Sequence, residues 1–117
     1  MSTTKQIFPE FSVVRSTDAA IHSPEPGLLR RVGAHNEKLF LAEHRMQKGW
    51  VGTRHQHPHD QIAFVVSGQL SITICSETFA VSAGDSFVMR GGIEHQAEAL
   101  EDSVVVDVFT PCRYEYL

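Results

Sequence analysis

At 117 residues, 42% apolar and 21% charged, the chain has the make-up of one soluble globular domain with room for one hydrophobic core. A formal charge of −4, from 10 Lys and Arg against 14 Asp and Glu with no basic run, argues against nucleic acid as a partner. Apolar stretches such as Ile62 to Val66 are far too short to cross a bilayer, and Met1 to Glu10 has a single Lys and no apolar core, so neither a membrane span nor a secretory leader is expected.

In chain order, the first thirty residues are weakly patterned. Ser16-Thr17-Asp18 can cap a short turn of helix through Ala19-Ala20-Ile21, and Pro24, Pro26 and Gly27 then stop any helix. This leading segment is expected to cover an edge strand or cross to a partner subunit. From Leu28 the chain reads as strand after strand. Lys38 to Met46 is the first clear one, and Gly49, Gly52 and Thr53 mark a turn. Gln61 to Val66 is rich in β-formers and runs into the hairpin signal Ser67-Gly68. Leu70 to Ile74 and Glu77 to Val81 alternate with period two, so each turns one face inward. Ser82 to Asp85 is a turn, Ser86 to Met89 a strand, and Gly91-Gly92 a sharp bend; Glu94 to Ala99 and Val104 to Phe109 complete the series. Many short strands with Gly-containing turns predict an all-β sandwich or barrel. Two cysteines make no disulfide framework. Cys75, in an apolar strand pattern, is expected to be a small buried hydrophobe, and two reduced thiols fit a cytoplasmic protein.

Seven histidines is a high count for this length, and three of them fall in His55-Gln56-His57-Pro58-His59. Residues two apart on a strand face the same side, so His55 and His57 can point together into a barrel, with Gln61 at the same parity. His95 follows a glycine bend at the start of another strand that can lie opposite them. Imidazole suits several divalent transition metals, and three histidines plus one oxygen ligand leave positions open for a substrate. On spacing alone, a polar loop without metal is the alternative.

The frame around these histidines resembles the cupin family. The first cupin motif, Gly-x5-His-x-His-x3-4-acid-x6-Gly, fits Gly49, His55, His57, Gln61 and Gly68. The second, Gly-x5-Pro-x-Gly-x2-His-x3-Asn, fits Gly84, Gly92 and His95, with Arg90 in place of Pro and Ala99 in place of Asn. The resemblance implies an RmlC-like double-stranded β-helix, or jelly-roll barrel. Residues 1–117 would then form a single cupin domain, 1–30 the leading segment and 38–113 the barrel core. It also implies one divalent metal, zinc, nickel, iron or manganese, on His55, His57, Gln61 and His95.

Within the family, His55-Gln-His-Pro-His-Asp-Gln61-Ile is similar to the metal strand of small cupins of pectin and alginate breakdown, which linearise 4,5-unsaturated uronates and use Gln as the fourth ligand. Their last strand carries an Asp, a Phe two residues later and an Arg four beyond it. Asp107, Phe109 and Arg113 match. The resemblance implies Asp107 as general base, with Phe109, Arg113 and the bend cation Arg90 as substrate-binding residues for an anionic sugar. Alternatives remain at this point. Asp107 can form a plain salt bridge with Arg113 or Arg90, and Phe109 can be core. The whole chain can be a sugar- or metal-sensing binding module, or a small iron-dependent dioxygenase. His59 and Asp60 are expected to support the site or line its rim, and His22, His35 and His44 to lie on the surface. Exposed edges in small β-domains often pair across a two-fold axis, so a homodimer is expected.

Overall fold

The computed structural model describes residues 8–117, so the reading of Met1 to Glu10 falls largely outside the described residues. Among those residues the chain forms nine strands: β1 (Ile21–Glu25), β2 (Leu28–His35), β3 (Phe40–Met46), β4 (Asp60–Ser67), β5 (Gln69–Ile74), β6 (Glu77–Ser82), β7 (Ser86–Met89), β8 (His95–Ala99) and β9 (Ser103–Thr110). A 3-10 turn, Tyr114–Tyr116, follows β9. A six-stranded sheet has the order β1-β2-β3-β9-β4-β7 and a three-stranded sheet the order β6-β5-β8. Every pairing is antiparallel, giving the predicted jelly roll.

Period-two alternation decides which side chains meet inside. On β9, Ser103, Val105, Asp107 and Phe109 are buried, while Val104, Val106 and Val108 turn outward. On β3 the inward set is Phe40, Ala42, His44 and Met46. One core cluster lies between the sheets and joins Leu28, Met46, Ala63, Val65 and Val105 of the large sheet to Leu70, Ile72 and Ala99 of the small one. A second gathers Val32, Phe40, Ala42, Phe109 and Cys112 at the other end. Members of both clusters, among them Met46, Ile72 and Phe109, line the cavity that holds the site.

Two local expectations are corrected and one holds. Ser16 to Asp18 forms a turn closed by Asp18 N–H donating to Arg15 C=O (2.9 Å), and no helix follows because the backbone extends into β1. β1 pairs antiparallel with β2, so the leading segment does cover an edge. Cys75 is exposed: Ile74 pairs with Glu77, which leaves Cys75-Ser76 as a two-residue hairpin, and Cys75 takes the positive φ (+54°) that such a turn requires.

Candidate metal centre

The segment before β4 is extended but makes only isolated bridges. His55 and His95 exchange both backbone hydrogen bonds (3.0 and 2.9 Å), which sets their rings side by side with centroids 4.4 Å apart. His57 is fixed from the other motif. Its carbonyl accepts from Gly92 N–H (2.7 Å), and the Asp60 carboxylate accepts from Gly91 N–H (2.8 Å). Gly91 is needed there because a Cβ would lie 2.0 Å from the Pro58 carbonyl oxygen. The two glycine-rich motifs therefore close on one another, and the His57 ring comes within 5.0 Å of His95 and 5.7 Å of His55.

One nitrogen from each of His55, His57 and His95 lies within 4.8 Å of the other two. Small side-chain rotations bring such a set to the ~2.0–2.1 Å bonds of a divalent ion. The tautomers fit as well. Nδ1 of His55 bonds the Thr53 carbonyl (2.8 Å), Nδ1 of His95 the Ile93 carbonyl (2.8 Å), and Nδ1 of His57 the His59 carbonyl (3.0 Å). A carbonyl only accepts, so each Nδ1 carries the proton and each Nε2 keeps its lone pair for a metal. Burial pushes His57 and His95 below the ordinary imidazole pKa; at His57 the charge of Arg113 adds to this, and at His95 the bond to Ile93 opposes it. Both shifts favour the neutral ring, the form that binds a metal.

Gln61, on β4, places its amide oxygen 3.0 Å from His57 Nε2, while its amide nitrogen donates to Asp107 Oδ1 (2.8 Å). His57 Nε2 and Gln61 Oε1 are therefore two lone-pair atoms facing each other, an arrangement that a cation relieves. The donor set of three imidazoles and one amide oxygen fits a borderline divalent ion.

Asp107 is 6% exposed and pairs with neither Arg113 nor Arg90; its Oδ2 takes the Nδ1–H of His44 (2.7 Å). Phe109 is 1% exposed and serves both purposes weighed for it, as part of the second core cluster and as a wall of the cavity. Arg113 is buried over the Phe109 and Tyr116 rings (4.9 and 4.0 Å) and donates to Glu115 (3.3 Å). Its buried Nε has no hydrogen-bond partner. The cavity that these groups share measures about 300 Å³ and is completed by apolar residues including Trp50, Ile72 and Phe87. That is small-molecule size. Glu25 of β1 closes part of its mouth by accepting from Trp50 Nε1–H (2.6 Å).

Arg90 is a correction. It is exposed and is not among the residues lining the cavity, because alternation along β7 turns its neighbour Met89 inward. His44 is another: it is buried on the inward face of β3 rather than on the surface. Arg30, opposite His44 in the β2–β3 ladder, and Tyr116 also line the cavity and carried no motif. His59 is buried, with Nε2 3.3 Å from the Cys112 carbonyl, and stands outside the three-nitrogen cluster. His22 is exposed as expected.

Residues 42–109 match the cupin domain family, Cupin_2. The pectin degradation protein KdgF of Dickeya dadantii (strain 3937) is 32% identical over 93 residues, covering 78% of this chain and 84% of that protein. The solved structure of KdgF from Halomonas sp. superposes with a TM-score of 0.85 at 38% identity, over 91% of this chain and 100% of that one. An RmlC-like cupin from Shewanella frigidimarina NCIMB 400 gives the same TM-score at 26% identity, over 94% and 97%. With both histidine motifs converging on one cavity of a jelly roll, a domain match across its centre and KdgF as a relative along most of its length, the chain belongs to the cupin family.

Proposed function

We propose that this chain is a metal-dependent enzyme that opens the ring of 4,5-unsaturated uronates to 5-keto-4-deoxyuronates. The observation that carries the reading is that Asp107 and Arg113 line the same small cavity as Gln61 and two of the three clustered histidines, His55 and His95, in a relative of a pectin degradation protein. His55, His57, Gln61 and His95 hold one divalent ion, and zinc, nickel, iron and manganese all suit that ligand set. When bound, the ion supplies Lewis acidity to substrate oxygens.

The remaining work falls to side chains. Arg113, whose guanidinium lies over the Phe109 and Tyr116 rings and whose buried Nε lacks a protein partner, receives the uronate carboxylate. Phe109 gives the sugar an apolar wall. Asp107 keeps an unused lone pair on each oxygen and takes the proton of the anomeric hydroxyl. The C1–O bond to the ring oxygen breaks as the C1 carbonyl forms, and the released enolate takes a proton at C4. The product is an isomer of the substrate, so no electron acceptor or water is consumed.

The same reading takes residues 1–117 as one cupin unit with its barrel at 38–113, working in the cytoplasm; both cysteines are free thiols, which supports that compartment. It also takes the protein as a homodimer. Ile62, Phe64 and Val88, each about half exposed or more on the outer face of the large sheet, support pairing with a second copy there. The test of activity is loss of the near-ultraviolet absorbance of unsaturated galacturonate in the presence of metal-loaded protein, against a protein-free control. Loss at the control rate with a fully loaded site excludes the activity, and oxygen uptake in its place assigns a dioxygenase.

A further inference from the structure

Four neighbouring strands each turn a polar side chain into the cavity, along a diagonal across the sheet. Arg30 comes from β2, His44 from β3, Asp107 from β9 and Gln61 from β4. The ladders make them successive neighbours: Arg30 is opposite His44, Ala42 opposite Asp107, Ala63 opposite Asp107, and Gln61 opposite Phe109. Their side chains form one line of hydrogen bonds, with Arg30 Nε to His44 Nε2 at 3.0 Å, His44 Nδ1 to Asp107 Oδ2 at 2.7 Å, and Gln61 Nε2 to Asp107 Oδ1 at 2.8 Å.

We propose that Arg30 and His44 are positioning residues that set the polarity of this line, and through it the orientation of Asp107 and of the Gln61 amide. A guanidinium Nε–H can only donate. His44 Nε2 must therefore accept, which leaves the ring proton on Nδ1, where it donates to Asp107. The carboxylate is an acceptor on both oxygens, so the amide it meets at Oδ1 must present nitrogen. Gln61 Oε1 is then left with one direction, toward His57. Arg30 is itself steadied by the Tyr116 ring, whose centroid lies 3.4 Å from the guanidinium carbon. The common cupin acid at position 61 would set one carboxylate against another at hydrogen-bond distance, so Gln at this position follows from Asp107 being its neighbour.

The orientation of Asp107 matters for the activity proposed above, and the kinetic arm of the test rests on that reading; the tautomer arm does not. Long-range proton–nitrogen NMR of histidine-labelled protein with zinc reads the His44 tautomer directly, with His44→Asn used to assign the signal. The expected result is a His44 ring protonated on Nδ1 alone in the wild type, and a ring that also carries a proton on Nε2 in Arg30→Met, where the donor facing that nitrogen is gone. A wild-type ring protonated on Nε2, or a pattern unchanged in Arg30→Met, overturns the proposal. In the kinetic arm, His44→Asn keeps an N–H for Asp107 and is expected to retain kcat within about fivefold, whereas His44→Leu is expected to lose about 10–100-fold in kcat with KM within threefold. Equal kcat in the two variants, or a loss confined to KM, also overturns it. If the wild type shows no turnover while the tautomer result holds, the reaction assignment fails and the positioning line stands.

Discussion

Gly91→Ala tests whether the two glycine-rich motifs lock one another around the histidines. The added Cβ would meet the Pro58 oxygen at 2.0 Å and the Pro58 carbonyl carbon at 2.6 Å, both of them backbone atoms that no rotamer change can move. Relief to an ordinary contact of about 3.4 Å requires one loop to back away by more than 1 Å. That shift breaks the bond from Gly91 N–H to the Asp60 carboxylate (2.8 Å) and the bond from Gly92 N–H to the His57 carbonyl (2.7 Å). A hydrogen bond to a charged group contributes about 1.5–3 kcal/mol and a neutral one about 1 kcal/mol, so the loss is about 3 kcal/mol. Because His57 moves with its carbonyl, zinc affinity should fall at least tenfold. Urea unfolding of the metal-free protein and calorimetric zinc titration measure the two effects. Gly84→Ala is the control. Gly84 has φ +91° and open space around the missing Cβ, in a turn away from the histidines, so it should cost only the left-handed strain of about 1–2 kcal/mol and leave zinc affinity unchanged. If Gly91→Ala matches the wild type in stability and zinc affinity, the motifs do not lock.

Other substitutions separate the roles around the cavity. Asp107→Asn should lower kcat by about 10²–10⁴-fold while uronate binding to the metal-loaded protein, measured by calorimetry, stays within a few-fold. Arg113→Lys, which loses the planar fork, should raise KM about tenfold or more with a smaller change in kcat, measured in steady state. Gln61→Glu should lower the melting temperature of the metal-free protein, and adding Asp107→Asn should recover much of the loss; strictly additive shifts would refute the like-charge explanation. Iodoacetamide at neutral pH should label Cys75 in the native protein and Cys112 only after unfolding, because burial blocks Cys112 and pushes its thiol pKa up. Mass spectrometry of the digested protein distinguishes the two sites.

The histidine cluster was legible because its spacing is local: His55, His57 and Gln61 lie on one short segment, and the glycines that bring His95 to them are spaced like those of a known family. Asp107, Phe109 and Arg113 were legible from the same resemblance. The inward position of His44 is legible from its parity with Phe40, Ala42 and Met46 on one strand. What parity cannot say is which strands are neighbours. The contact from His44 to Asp107 joins residues 63 apart and depends on β9 lying between β3 and β4. Arg30 and Tyr116 depend on that same long-range order. Arg90 sits at a motif position, but the alternation that turns Met89 inward turns Arg90 to solvent. Cys75 ends an apolar run yet lies in a hairpin that contains no glycine to mark it.

The most direct measurement is proton NMR of unsaturated galacturonate in deuterated buffer with zinc-loaded protein. The vinylic C4 signal should disappear faster than in the protein-free control, replaced by a deuterium-bearing C4 beside the new ketone in a linear product with no oxygen added. A vinylic signal that decays only at the control rate, or a product that has gained oxygen, would contradict the assignment of this cavity to uronate ring opening.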